Sequence, residues 1–292
     1  MVGKKLGPSK VEDFIVDSFV YIFLALISLS ILLPILSVVS MSVTTSEEIF
    51  RNGGFVLIPE SVSFDAYKEL MRDPSMPRAF KVTVFITVVG TLVNMLLSVM
   101  MAYPLSKKYL PGRKFLVLFI VFTMMFNGGI IPTYLVVKNL GLIDKIWAMI
   151  IPGAIWTFNV LVIKSYFENL PEELFESARI DGAKEFTVLW QIALPVSIPV
   201  LITVGLFYTV GNWNQFWSAV LYIGDKNLHP LQVVVRGMLI QAQNYLENPE
   251  VTLPSEVLKM AAVVYASAPI IAFYPFLQKY FMKGLMLGAV KG

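Results

Sequence analysis

Six stretches of this chain hold no Asp, Glu, Lys or Arg: 18–46, 82–106, 115–137, 146–163, 186–224 and 260–278. A charged side chain at mid-bilayer is expensive. A helix of about 20 apolar residues crosses a hydrocarbon layer of ~30 Å, so each stretch can supply one crossing. The crossings predicted are about 18–41, 82–104, 115–137, 146–164, 197–222 and 259–279. Helices need no partner strand to satisfy their backbone in lipid. The expected fold class is therefore all-α integral membrane, with six transmembrane helices in a single domain, 1–292. Charged residues make up 15% of the chain, where a soluble domain carries about a quarter. A soluble globular protein is excluded on that ground.

The basic residues set the orientation. The link between the second and third crossings holds Lys107, Lys108, Arg113 and Lys114 and no acid. The amino end holds Lys4, Lys5 and Lys10, and the carboxyl end Lys279, Lys283 and Lys291. Six crossings put all three groups on one side, which the positive-inside rule makes cytoplasmic, both termini included. The opening MVGKKLGPSK precedes an apolar run too long for a signal-peptide core and without a small-residue cleavage pattern, so it reads as a retained first crossing. On the outer side lie the links 44–80 and 223–259 and a short turn at Lys138–Gly141. The two long links either contact a delivering protein or act as lids that pack the bundle.

The link between the fourth and fifth crossings, 168–195, is charged and amphipathic, and falls on the cytoplasmic side of the same scheme. Asn169 suits an N-cap, Pro171 a first turn, and Glu172 and Glu173 the positive end of a helix. Leu174, Phe175 and Ala178 share one face. Glycine takes a positive φ without steric cost, so the helix is expected to end or turn at Asp181-Gly182. A second helix carries Phe186, Leu189, Trp190 and Ala193 at i, i+3, i+4, i+7, and Pro195 and Pro199 lead into the next crossing. Glu172, Glu173, Glu176, Asp181 and Glu185 make the link acidic, which matches a basic protein partner better than an anionic lipid surface. The series Glu176-Ser177-Ala178, Asp181-Gly182-Ala183 and Leu194-Pro195 resembles the EAA loop of ATP-binding-cassette importer permeases, with Ser177 where alanine is usual. The resemblance implies a coupling helix seated in a cleft of a cytoplasmic ATPase. Its coupling residues here are Glu173, Glu176, Ser177, Ala178, Asp181, Gly182 and Ala183.

The uncharged stretches offer no ionisable group for ion or proton coupling, and no G-x-x-x-x-G-K-[ST] phosphate cradle occurs. Energy for transport must then come from another chain. There is no cysteine, and the single histidine, His229, has neither Cys nor acid beside it. No catalytic arrangement, metal site or nucleic-acid surface is expected. Two polar interruptions remain. In Gly211–Trp217, GNWNQFW, the amides of Asn212 and Asn214 can bond sugar hydroxyls, and Trp213, Phe216 and Trp217 can stack on sugar faces. Alternatively the amides join helices and the indoles sit in an interfacial belt. Asn127-Gly128-Gly129, with Pro132, interrupts the third crossing, where Asn127 lines a cavity or marks a kink. Asn94 is expected to make an interhelical hydrogen bond.

GNWNQFW resembles the W-N-x-F pattern of carbohydrate-importer permeases. The ending QKYFMKGLMLGAVKG, with its tail 280–292, resembles that of maltose-type sugar permeases, where it reaches between two ATPase subunits. Together with the EAA loop these motifs cover most of the chain, which is similar to the carbohydrate uptake (MalG-like) permeases. That implies the type I ABC importer (MetI-like) permease fold. FNGGIIPTYLVVKNLGLIDK, 126–145, is most similar to the LplC/YtcP branch, which includes permeases for alginate and pectin oligosaccharides. The resemblance implies a second homologous permease, two cytoplasmic ATPases that bind ATP and magnesium, an extracytoplasmic solute-binding protein, and membrane lipid. This chain itself would bind no cofactor. The substrate implied is an oligosaccharide, acidic ones included, moved by alternating access. Asn212, Trp213, Asn214, Phe216, Trp217 and Asn127 are the pathway candidates. The rival readings are a stand-alone secondary carrier or channel for a polar solute, and a non-transporting membrane scaffold.

Overall fold

The structure, a computed structural model, describes residues 10–180, 182–244 and 255–289. Among them every regular element is helical. The chain falls into two compact units, Met1–Arg72 with Gln241–Tyr265, and Asp73–Ile240 with Ala266–Gly292.

The first unit contains α1 (Lys10–Ser42), α2 (Ser46–Arg51) and α3 (Asp65–Arg72). The apolar residues of α1 are exposed on every side, Phe14, Tyr21, Leu26 and Ile31 among them. A helix apolar all round is built for lipid or for another protein surface, not for water. Beyond it, Glu48 is buried and accepts hydrogen bonds from Thr44 Oγ1 at 2.5 Å and the Glu60 backbone N–H at 2.7 Å. That carboxylate gathers the chain between α1 and α3, and Tyr67 Oη donates to Ser42 Oγ at 2.8 Å.

The second unit contains α4 (Ser75–Ser106), α5 (Arg113–Met125), α6 (Ile130–Asn139), α7 (Thr157–Glu168), α8 (Glu173–Ile180), α9 (Glu185–Val188), α10 (Leu194–Val196), α11 (Ile198–Trp213) and α12 (Trp217–Tyr222). Helices α13 (Leu231–Asn244) and α14 (Glu256–Ala289) have residues in both units. The long α4 is the axis, with α7 and α11 packed along it. Along its buried face runs a stripe of small or polar residues, Thr83, Thr87, Gly90, Asn94, Ser98 and Ala102, three and four residues apart. Small residues let helix backbones approach closely in a membrane, where apolar packing alone gives no preference over lipid. Gly90 shows the need: a Cβ there would stand 3.0 Å from Asn212 Nδ2.

The crossings do not all run straight. α5 and α6 meet at 113°, and Asn127 Oδ1 accepts from the Gly129 N–H at 2.8 Å across the break. Glu185–Val196 and Ile198–Trp213 meet at 85°. Ser197 leaves helical geometry there, and Pro195 and Pro199 on either side have no N–H to continue the ladder. The stretch 146–164 is a 3₁₀ turn, Ile146–Met149, then an irregular segment with Pro152 and Gly153, then α7. Among the described residues three helices are long and apolar enough to cross a membrane, or five if each bent pair counts as one. Asn169 does not cap α8. It ends α7, donating Nδ2 back to the Ser165 carbonyl at 2.6 Å, and α8 begins four residues later, at Glu173.

One turn is fastened by a strained residue. Asp144 holds φ at +58°. Its N–H donates to the Tyr222 carbonyl at 2.9 Å, and its Oδ1 accepts from the N–H groups of Gly224 at 2.5 Å and Asp225 at 3.0 Å. Asp144→Ala loses both acceptor contacts and keeps the strain, and is expected to destabilise the protein by about 1–3 kcal/mol. Asp144→Asn, which keeps an acceptor and tolerates left-handed backbone, should lose less. Thermal unfolding in detergent checks the order, and equal losses would refute it.

Candidate functional site

The elbow between α7 and α11 is built around one apolar anchor. Phe175 is 1% exposed, set among Tyr103, Leu105, Phe167 and Leu189 in the core shared with α4 and α7. Burying a phenylalanine contributes roughly 1.5–3 kcal/mol. Lys107, at the end of α4, is itself buried, with Nζ 3.4 Å from the centre of the Phe175 ring. Burial pushes the Lys107 ammonium below its ordinary value, with the Glu172 carboxylate opposing. The ring face offsets part of that loss of water.

The end of α8 is a Schellman motif. The Ala183 N–H donates to the Ala178 carbonyl at 2.9 Å and the Gly182 N–H to the Arg179 carbonyl at 3.0 Å, with Gly182 at φ +80°. This is the bond pattern a left-handed residue just past a helix terminus makes. Ala178 and Ala183, which flank the turn, both pack against the core. Asp181 lies outside the described residues.

Across that turn the two helices are braced. Arg179 of α8 donates to Glu185 Oε1 at 3.0 Å, to Glu172 Oε1 at 3.3 Å and to Tyr109 Oη at 3.1 Å. Glu185 also accepts from Tyr103 Oη at 2.7 Å and Tyr109 Oη at 3.0 Å. One carboxylate thus ties α8 and α9 to the end of α4 and the link after it. Burial raises the Glu185 pKa, but the hydrogen bonds from Tyr103, Tyr109 and Arg179 outweigh it and hold the carboxyl below its ordinary value. The other side of α8 is free: Glu173, Glu176 and Ser177 are exposed, Leu174 is partly so, and Ile180 is 86% exposed. Gly182 is exposed as well. The carboxyl-terminal tail 280–292 continues α14 to Ala289, and its side chains lie outside the described residues.

At the far end of α11 the polar cluster divides. Asn212 is buried, donating to Asn94 Oδ1 at 2.9 Å and Thr91 Oγ1 at 3.3 Å. Asn94 in turn donates to the carbonyls of Ala154 at 2.7 Å and Gly153 at 3.2 Å, as expected of an interhelical amide. Trp213 is buried too, its indole N–H donating to the Ala266 carbonyl at 3.0 Å. Asn214 and Trp217 are exposed, Phe216 half-buried between them. Asn127 is exposed at the bend after α5.

Sequence reasoning placed Glu185 in the acidic link without its bracing role, and missed Lys107, Tyr103 and Tyr109 as parts of the elbow. Unlike charges six residues apart across a glycine hint at Arg179 and Glu185. Nothing local marks tyrosines contributed by α4 and the link after it.

Comparison with known proteins gives a consistent result. The family model described as "Binding-protein-dependent transport system inner membrane component" matches residues 2–286. Protein LplC of Bacillus subtilis (strain 168) is 45% identical over 275 residues, covering 93% of each chain. The polygalacturonan/rhamnogalacturonan transport system permease protein YtcP of the same organism is 42% identical over 281 residues, covering 94% of this chain and 98% of its own. Among solved structures, a chain of a bacterial ABC transporter involved in the import of the acidic polysaccharide alginate superposes with a TM-score of 0.86 at 30% identity, over 95% of this chain and 100% of that one.

Glu185 titrates below its ordinary 4.5 in the folded chain. Its contribution to stability is therefore complete above the unfolded value and is lost as pH falls through the folded one. Lowering the pH from about 6 to about 3 should cost the wild type more thermal stability than Glu185→Gln, which has no such proton to take up. Parallel curves for the two proteins would remove the carboxylate from the brace.

Proposed function

This chain belongs to the family of binding-protein-dependent transport system inner membrane components, and we propose that it is one of two membrane subunits of an ATP-driven importer of acidic oligosaccharides. Membership of such a system removes the stand-alone carrier as a rival. The remaining parts are a second, related permease, two cytoplasmic ATPases that hold ATP and magnesium, and an extracytoplasmic binding protein. Both termini and the elbow lie on the cytoplasmic side, and the links 44–80 and 223–259 outside.

The observation that carries this reading is the elbow. α8 is anchored on one side and braced at both ends, while its other side presents Glu173, Glu176, Ser177 and Ile180 to a partner. When a docked ATPase shifts, α8 cannot tilt alone. Phe175 under Lys107 and the Arg179–Glu185–Tyr103 contacts carry the displacement into α4, and α9 carries it into α11. Those two helices line one another along their length, so the pathway between permeases opens to one side as it closes to the other. Asn214 and Trp217 are the pathway side chains with open faces, with Phe216 half-buried beside them, Asn127 a further candidate, and Asn212 and Trp213 act through helix packing. The acidic class rests on two similar proteins, one named for polygalacturonan and one for alginate import. Uncharged crossings suit it, since an Asp or Glu there would repel an anion.

Gly182→Pro removes the donor to Arg179 and cannot adopt φ +80°. It is expected to cut uptake of the substrate at least about tenfold with the chain still inserted in the membrane. Gly182→Asn, which tolerates left-handed backbone and meets nothing within 4 Å of its Cβ, should retain most uptake. The chain has no cysteine, so Glu176→Cys gives a unique cross-linking position. Cross-linking to an ATPase subunit is expected, and labelling of that cysteine from outside the cell would end the proposal.

A further inference from the structure

We propose that Arg236 recognises the carboxylate of an acidic sugar unit, on a surface shared with Phe216, Trp217, Asn214 and Gln232, and thereby sets the charge class of the oligosaccharide that passes. This rests on the importer reading above and adds to it a subsite on this chain.

The surface exists because a helix stops. α11 ends at Trp213 and α12 begins at Trp217, leaving Asn214–Phe216 outside helical structure. Irregular backbone at membrane depth persists only where protein covers it or water reaches it. Here no described part of this chain covers it: Asn214 is exposed and Trp217 is 68% exposed. Phe216 and Trp217 meet edge to face, ring centres 5.4 Å apart at 72°. Trp217, the exposed ring of the pair, offers a flat apolar face that suits the hydrophobic face of a pyranose ring.

The polar groups beside them come from α13. Arg236 places its guanidinium 4.5 Å from the centre of the Phe216 ring. It is exposed and makes no hydrogen bond or ion pair among the described residues. The other arginines of the same unit are all engaged: Arg78 with Asn227, Arg113 with Glu168, and Arg179 with Glu185. One turn earlier, Gln232 Nε2 donates to Asn214 Oδ1 at 3.4 Å, a long contact that leaves Gln232 Oε1 with no partner among the described residues. A guanidinium steadied on a ring, with its fork of donors free, is the group that takes a carboxylate in two parallel hydrogen bonds. Amides one turn away take neighbouring hydroxyls. An aromatic belt at the membrane interface accounts for Trp217 alone. It calls for neither the arginine on Phe216 nor the amide pair.

The test uses the complete transporter in proteoliposomes, with labelled trigalacturonate carried by its binding protein. Arg236→Gln is expected to lower trigalacturonate uptake about tenfold, the loss of one charge-assisted contact, with binding-protein-stimulated ATP hydrolysis at its wild-type level. Arg236→Lys should recover part of the uptake, because the charge returns without the fork. Unchanged uptake in Arg236→Gln would overturn the subsite and leave the importer reading intact. So would a loss of uptake and stimulated hydrolysis in equal measure, which marks a structural role. A difference that vanishes in vesicles of phosphatidylcholine alone would assign Arg236 to anionic lipid headgroups and overturn it as well. If the wild type takes up no oligosaccharide, acidic or neutral, the importer reading falls and the subsite with it.

Discussion

The amide of Asn212 meets Asn94 over the bare backbone of Gly90, and this contact fixes how closely α11 lies against α4. In a bilayer the lipid tails compete for every apolar side chain, so two helices hold together by fit and by polar bonds. Each such bond contributes only about 0.6–2 kcal/mol. What matters is that the bonds fall in a row. Asn212 donates to Asn94 and Thr91, the Thr91 and Thr209 hydroxyls lie 3.4 Å apart, and Ser98 shares a hydrogen bond of 2.7 Å with Tyr208. Along that row α4 and α11 have one register, and sliding one past the other would strand several buried polar groups together.

The elbow at the basic end of α4 depends on a different balance. Its ion pairs look numerous, yet the Arg179 and Glu185 side chains are 31% and 49% exposed, and exposed pairs of this kind contribute at most about 1 kcal/mol. The buried Phe175 ring outweighs any one of them. Packing therefore holds α8 in place, and the polar contacts set its direction. Arg179 has a planar fork of donors, and Glu185 receives bonds from three side chains on three other segments. Few alternative tilts satisfy all of them. The lever role proposed for α8 needs this property more than it needs strength, because a strong contact that permits rotation transmits nothing.

Much of this was legible in the residues. Charge-free windows locate membrane helices because burial in lipid is a property of composition. Gly182 marks the end of α8 because only a residue free of a Cβ clash sits easily at φ +80°. Other features were not legible. Hydropathy reports surroundings and not direction, so the 113° and 85° bends and the irregular segment before α7 are invisible to it. Asn169 illustrates the limit of local rules: an asparagine between two helices can cap the second or close the first, and here it closes the first. The GNWNQFW cluster looks uniform as a string. Its members separate into buried Asn212 and Trp213 and open Asn214 and Trp217 because the helix stops between them, and the neighbours that bury the first pair come from α4 and α14.

The two ends of the α4–α11 pair are built to opposite specifications. At the elbow Arg179, Glu185, Tyr103 and Tyr109 are paired with one another, while the outward face of α8 stands exposed. At the other end the helix is interrupted and polar groups of Asn214, Gln232 and Arg236 stand near open aromatic rings. A solute that must leave again cannot be gripped by a deep, fully satisfied pocket, since every buried contact would have to be broken on release. Shallow, open groups on a rigid frame meet that requirement. On the proposed reading, motion enters where the chain is stiff, and the solute is met where it is open.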